Sequence, residues 1–219
     1  MIVELVGLVG AGKSSVAREI REQYPHVRQG WSLLRPAYLP AVSWSALRCV
    51  GAARWYRASG LERPWYLLKL LWHLDAQLDV LARAKPRMPG AVIFEEGPIF
   101  KLCWISVCAR EAKIAGPAFD RWFRHARRKC GEVIDRVVWL DAPDEVLLER
   151  VRARPHLTGY GLKHKPEREA QRLLSLYRAT YQGILASLEA EYRVEVTSYG
   201  TADQSPRAIS AALRERYGL

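Results

Sequence analysis

The chain has 219 residues, with 34 Lys and Arg against 23 Asp and Glu, a formal net charge of +11 and 49% hydrophobic residues. That length supports a sizeable core, and no Gly/Ser-rich or Pro-rich linker divides it, so a single domain over residues 1–219 is expected. No apolar run approaches the roughly 18 residues of a membrane span, and a strand-like start leaves no room for a cleaved signal, so a cytoplasmic protein without a transmembrane segment is expected.

In chain order, MIVELVG reads as a buried strand over 3–7 and runs into GLVGAGKSS, residues 7–15, which fits the P-loop pattern GxxxxGK[ST]. In such a loop the backbone amides of Gly7, Val9, Gly10, Ala11, Gly12, Lys13, Ser14 and Ser15 are the candidates to cradle phosphate oxygens. Lys13 supplies charge to the β- and γ-phosphates, and Ser14 supplies a hydroxyl to Mg²⁺. Val16, Ile20 and Tyr24 then recur at helical spacing until Pro25, so the loop opens a helix whose first N–H groups and dipole favour an anion. ATP and Mg²⁺ are the expected cofactors, and ATP is preferred to GTP because no NKxD sequence for guanine is found.

A second strand is expected within HVRQGW, 26–31. Residues 28–61 hold Arg28, Arg35, Arg48, Arg54 and Arg57 with no Asp or Glu, interleaved with Trp31, Trp44 and Trp55. Guanidinium groups beside aromatic faces suit an anionic or polyhydroxylated small molecule, with Arg35 and Arg54 as candidates to hold it. A helical cap whose tryptophans are ordinary core reads the same residues as well. Leu67, Leu71, Leu74, Leu78 and Leu81 form one stripe of a long helix ending near Lys85. On it Trp72, Asp75 and Asp79 share a face that could hold substrate hydroxyls, although an ion pair from Asp79 to Arg83 accounts for that face too.

AVIFE, 91–95, reads as a third strand delivering Glu95 and Glu96 into a GlyPro turn. A carboxylate at a strand end beside a P-loop either serves Mg²⁺ or accepts the proton of an attacking hydroxyl. Glu95 is the candidate for both tasks and Glu96 for touching the acceptor; which acid is essential stays open. Helices follow over about 101–115 and 121–129, then a strand RVVWLDA (136–142), a helix to about 154, another over 166–191, a strand YRVEVTS (192–198) and a last helix, 206–217. The alternation implies an α/β fold in which ligands gather at the carboxyl ends of the strands. Cys49, Cys103, Cys108 and Cys130 show no CxxC or ligand spacing and read as reduced packing residues.

GLVGAGKSS, VIFEEGP and VVWLDAPDEVLLERVRARP together resemble the nucleoside monophosphate kinase group, in particular thymidylate kinases and deoxynucleoside kinases. The resemblance implies a five-stranded parallel sheet with helices on both faces, an enlarged helical acceptor region over 28–85, and a lid over about 150–166. It implies that Glu95 is the metal-shell carboxylate or general base and that Arg150 and Arg154 neutralise the transferring phosphoryl. Where those families carry an Arg touching the acceptor, this chain has Glu96. The function expected is an ATP-dependent phosphotransferase moving the γ-phosphoryl group to a hydroxyl or phosphate of a small acceptor. The alternative is a P-loop ATPase or nucleotide switch acting on a protein, nucleic-acid or membrane partner. A small molecule is expected as partner rather than nucleic acid, and a homodimer is compatible with the sequence.

Overall fold

Five short runs, three of them dominated by apolar residues, form the strands β1 (Ile2–Gly7), β2 (Arg28–Gln29), β3 (Val92–Phe94), β4 (Arg136–Asp141) and β5 (Glu195–Gly200). The structure, a computed structural model, describes residues 1–30, 38–40, 42–45, 47, 64–111, 116–153 and 162–218. Between the strands lie α1 (Lys13–Gln23), α2 (Pro64–Ala84), α3 (Pro98–Glu111), α4 (Pro117–Val133), α5 (Asp144–Arg152) and α6 (Glu167–Tyr192), and α7 (Pro206–Tyr217) follows β5. Residues 42–45 are helical as well.

All four strand pairings are parallel and the order is β2-β3-β1-β4-β5. Every residue of β1 is buried, which is why it reads as a continuous apolar run rather than an alternating one; Glu4 is the exception in chemistry, not in burial. The chain leaves β1 toward β2 on one side and leaves β3 toward β4 on the other. With right-handed crossovers this puts helices on both faces: α1 and α7 pack together, and α2, α3, α4 and α6 pack against one another. A ligand crevice opens where two neighbouring strands send their connections in opposite directions, here between β1 and β3. The P-loop and the Glu95–Glu96 turn both lie at that point.

Several boundaries depart from the expectation, among them those of α4, which runs four residues further at each end than 121–129, and three departures have a physical reason. The last strand starts at Glu195 rather than 192 because α6 runs through Tyr192 and is closed by Arg193 in a left-handed conformation (φ 57°). The second strand shrinks to two residues at the sheet edge. Helix α3 begins at Pro98, three residues early: proline suits a first turn, and the carboxylate that receives the next amides comes from β1.

Candidate active site

The P-loop is built almost entirely from backbone. Gly10 takes φ +87°, and a Cβ there would stand 2.8 Å from the Leu147 carbonyl oxygen, so only glycine lets the loop lie against α5. The Ala11 amide donates to the Leu8 carbonyl at 3.1 Å, while those of Ser15 and Val16 both donate to the Gly12 carbonyl at 3.0 Å. Lys13 Nζ donates to the carbonyls of Gly7 and Leu8 at 2.8 and 3.0 Å, which holds its charge across the loop. No acidic side chain occupies the first turn of α1, so nothing there competes with an anion for the dipole. Ser14 is exposed and Ser15 half-buried.

On the β3 side a cavity of about 570 Å³ is lined by Glu95 and Glu96 at the strand end, by His73 and Gln77 of α2, and by Phe100, Lys101 and Trp104 of α3. Pairing of Glu4 with Phe94 in the β1–β3 register places Glu95 one residue beyond the last paired position. The floor is set by Glu4, whose Oε2 accepts the Ile99 amide at 3.0 Å and whose Oε1 accepts the Phe100 amide at 2.8 Å. Its approach is so close that a Cβ on Gly97 would stand 2.5 Å from the carboxyl carbon. Burial pushes the Glu4 carboxyl up to about 7, against the pull of those amides and of Lys101.

Lys101 is the second buried charge. Its ammonium donates to Gln77 Oε1 at 3.0 Å, to the Glu96 carbonyl, and to the Gly97 carbonyl at 3.4 Å. Burial lowers its pKa, and the charges of Glu4 and Glu96 oppose that shift. Burial together with the charges of Lys101 and Lys69 lowers the pKa of His73, so this wall of α2 is neutral at pH 7. Phe100 and Trp104 meet edge to face at 5.5 Å and 86°, giving the cavity an aromatic side.

A second cavity, of about 580 Å³, lies across the P-loop and is lined by Gly10, Gly12, Ser15, Arg150 and the turn from Thr201 to Pro206. Arg150 donates to the Gly10 carbonyl at 3.3 Å, to Thr201 Oγ1 at 3.1 Å and to the Thr201 carbonyl at 2.7 Å. It thereby ties the P-loop to the β5–α7 turn and lines the cavity beside the P-loop rather than the Glu95 cavity. Arg154 lies outside the described residues, as do Arg35, Arg54 and most of the expected lid.

For Asp75 and Asp79 the structure shows the ion-pair account of their face, with Lys129 as a partner. Both face Lys129 of α4, at 3.6 and 2.6 Å, and line neither cavity. The residues that α2 does turn to the cavity are Leu70, His73 and Gln77, on the neighbouring face. Trp72 donates its indole N–H to the Val42 carbonyl at 3.2 Å and lines neither cavity; Trp44 is 58% exposed, which removes it from the core. Trp31 and Trp55 lie outside the described residues. Asp141, at the end of β4, is engaged by Arg178, which donates to both its carboxylate oxygens at 2.9 and 3.2 Å. The carboxylates lining the cavity at the switch point are therefore Glu95 and Glu96. Cys103 and Cys130 are buried and Cys108 half-buried, all as free thiols. Among the described residues no group of three or more His, Cys, Asp or Glu gathers as a metal site. No described helix is long and apolar enough to cross a membrane.

Neither a family model nor a curated protein sequence matches the chain. Solved structures do. Deoxyadenosine kinase from M. mycoides with bound dATP superposes with a TM-score of 0.60 at 14% identity, over 99% of this chain and 99% of that one. The same kinase with bound dCTP gives 0.55 at 12% identity, over the whole of both chains. The YorR protein of Bacillus subtilis, in complex with phosphorylated GDP, gives 0.53 at 17% identity, over 100% of this chain and 96% of the other. At these identities the likeness is one of architecture, and the chain has the deoxynucleoside kinase-like P-loop fold.

Proposed function

We propose that the protein is an ATP-dependent phosphotransferase that moves the γ-phosphoryl group to a hydroxyl or phosphate of a small acceptor, with a nucleoside as the acceptor class to which the Glu95 cavity is best suited. The observation that carries this reading is an acceptor-sized cavity holding two carboxylates at the strand neighbouring the P-loop strand. A nucleotide switch acting on a macromolecule needs no such second cavity. An aromatic side, a buried amide and a neutral imidazole suit a planar heterocycle better than a polyphosphate.

In this reading the P-loop amides and Lys13 hold the β- and γ-phosphates, and the cavity between Arg150 and the Thr201–Pro206 turn takes the nucleoside end of ATP. The Ser14 hydroxyl and a Glu95 carboxylate oxygen are hard oxygen donors of the kind Mg²⁺ takes alongside phosphate oxygens and water. The ion, when bound, would neutralise charge on the phosphate oxygens. The acceptor hydroxyl oxygen forms a bond to the γ-phosphorus as the bond from that phosphorus to the β–γ bridging oxygen breaks, and the hydroxyl proton passes to the Glu95–Glu96 pair. Holding acceptor and donor on adjacent strands supplies the orientation that such a transfer needs. Incubation with Mg·ATP and a panel of nucleosides, nucleotides and sugars, followed by mass spectrometry, tests this: a gain of one phosphoryl group on a nucleoside is expected. ATP hydrolysis that no acceptor accelerates would instead favour the ATPase.

A further inference from the structure

Gln77 is 5% exposed, yet it lines the Glu95 cavity. A side-chain amide has one oxygen that accepts and one nitrogen that donates, nearly identical in shape, and the partner decides which end faces where. Here the partner is Lys101, whose ammonium can only donate; it therefore takes Oε1 and turns Nε2 away from itself. The three N–H groups of Lys101 have three carbonyl oxygens to meet, those of Gln77, Glu96 and Gly97, so the ammonium keeps no donor for a ligand. Its task is to orient. The Gln77 amide nitrogen, turned away from the ammonium, opens to the cavity, and an acceptor atom that reaches it there replaces water as its partner.

Resting on the reading of this cavity as the acceptor site, we propose that Lys101 locks the Gln77 amide as a donor and that the site therefore selects a planar acceptor presenting a carbonyl, rather than an amino group, to that nitrogen. An amino group would set donor against donor, and the amide cannot turn to receive it without placing its own N–H groups against the ammonium. The edge-to-face pair Phe100 and Trp104 on the same cavity supplies flat apolar surface for the ring that carries the carbonyl. His73, one turn before Gln77, is kept neutral and adds no competing charge.

The test uses two matched pairs of nucleosides, deoxyuridine against deoxycytidine and deoxyinosine against deoxyadenosine, each differing by a carbonyl in place of an amino group. Affinities are read by calorimetry and kcat/KM with Mg·ATP. The carbonyl member of each pair is expected to bind about 10-fold more tightly or better. Gln77→Glu keeps a partner for Lys101 but can only accept, so it should reverse the preference while the melting temperature holds. Lys101→Met frees the amide to turn and should flatten the preference to within about threefold. Transfer to nucleosides without the carbonyl preference, or a preference unchanged in Gln77→Glu, overturns the inference alone. Preferential binding without phosphoryl transfer overturns the kinase reading alone, and binding of none of the four overturns both.

Discussion

The two cavities flanking β1 are made differently. The one beside the P-loop is assembled from consecutive backbone, Gly10 to Ser15 and Thr201 to Pro206, pinned by a single side chain, Arg150. The one beside β3 is assembled from side chains that four separate segments bring together, with buried Glu4 and Lys101 beneath them. A polyphosphate offers the same oxygens in every substrate, and backbone amides suffice to hold it. An acceptor has to be distinguished from its relatives, and only side chains differ enough to do that.

Five substitutions would break or sharpen this contrast. Lys13→Met removes the one side-chain charge of the backbone-built loop and should lower turnover by at least about 10³ with the melting temperature unchanged, measured by ADP release; normal turnover would mean that the phosphates sit elsewhere. Glu4 is next, because its effect falls on the fold of the side-chain-built wall. Its carboxyl is raised from 4.5 to about 7, so the folded state favours the protonated form. Stability is therefore highest below about pH 4.5 in this respect and is lost as pH rises toward 7, by about 3 kcal/mol at roughly 1.4 kcal/mol per pH unit. Denaturant unfolding at pH 5 and pH 8 should show that loss in the wild type and lose it in Glu4→Gln.

Glu95→Gln should lower Mg·ATP-dependent transfer by about 10² while ATP still binds, as expected for a lost general base or metal carboxylate. Glu96→Gln should cost less; the opposite order would give the essential role to Glu96. The smallest effect is expected for Arg150→Met, which should raise the KM for ATP about 10-fold and leave the KM for the acceptor in place. A fall in kcat at constant KM would return Arg150 to the reacting phosphoryl group.

What could be read from the sequence follows the same division. The P-loop, the strand ends and the leucine stripe of α2 are local patterns, and the structure has them where the spacing predicts. The ion pair of Asp79 with Lys129 is not legible locally, because its partner lies fifty residues further on and nothing near Asp79 announces it. Lys101 and Glu4 escaped notice because they sit within buried elements, α3 and β1, whose apolar character hides what an isolated charge is doing there. The usable signal was that isolation itself: a Glu in a buried strand, a Lys in a buried helix and a Gln beside a leucine stripe each need a partner, and two of these three residues bond to each other.

The carboxylate of Glu4 also bears on the order in which the protein is made. Helix α3 has no acidic residue in its first turn, and two of its leading amides are received by a residue 95 and 96 positions earlier. At about 5–20 residues per second, β1 has left the ribosome roughly 5–20 s before the helix it closes. The strand is thus present, carrying its acceptor, when α3 emerges, whereas a circular permutant that moved β1 to the carboxyl terminus would present the helix first and leave those amides to water until synthesis ended.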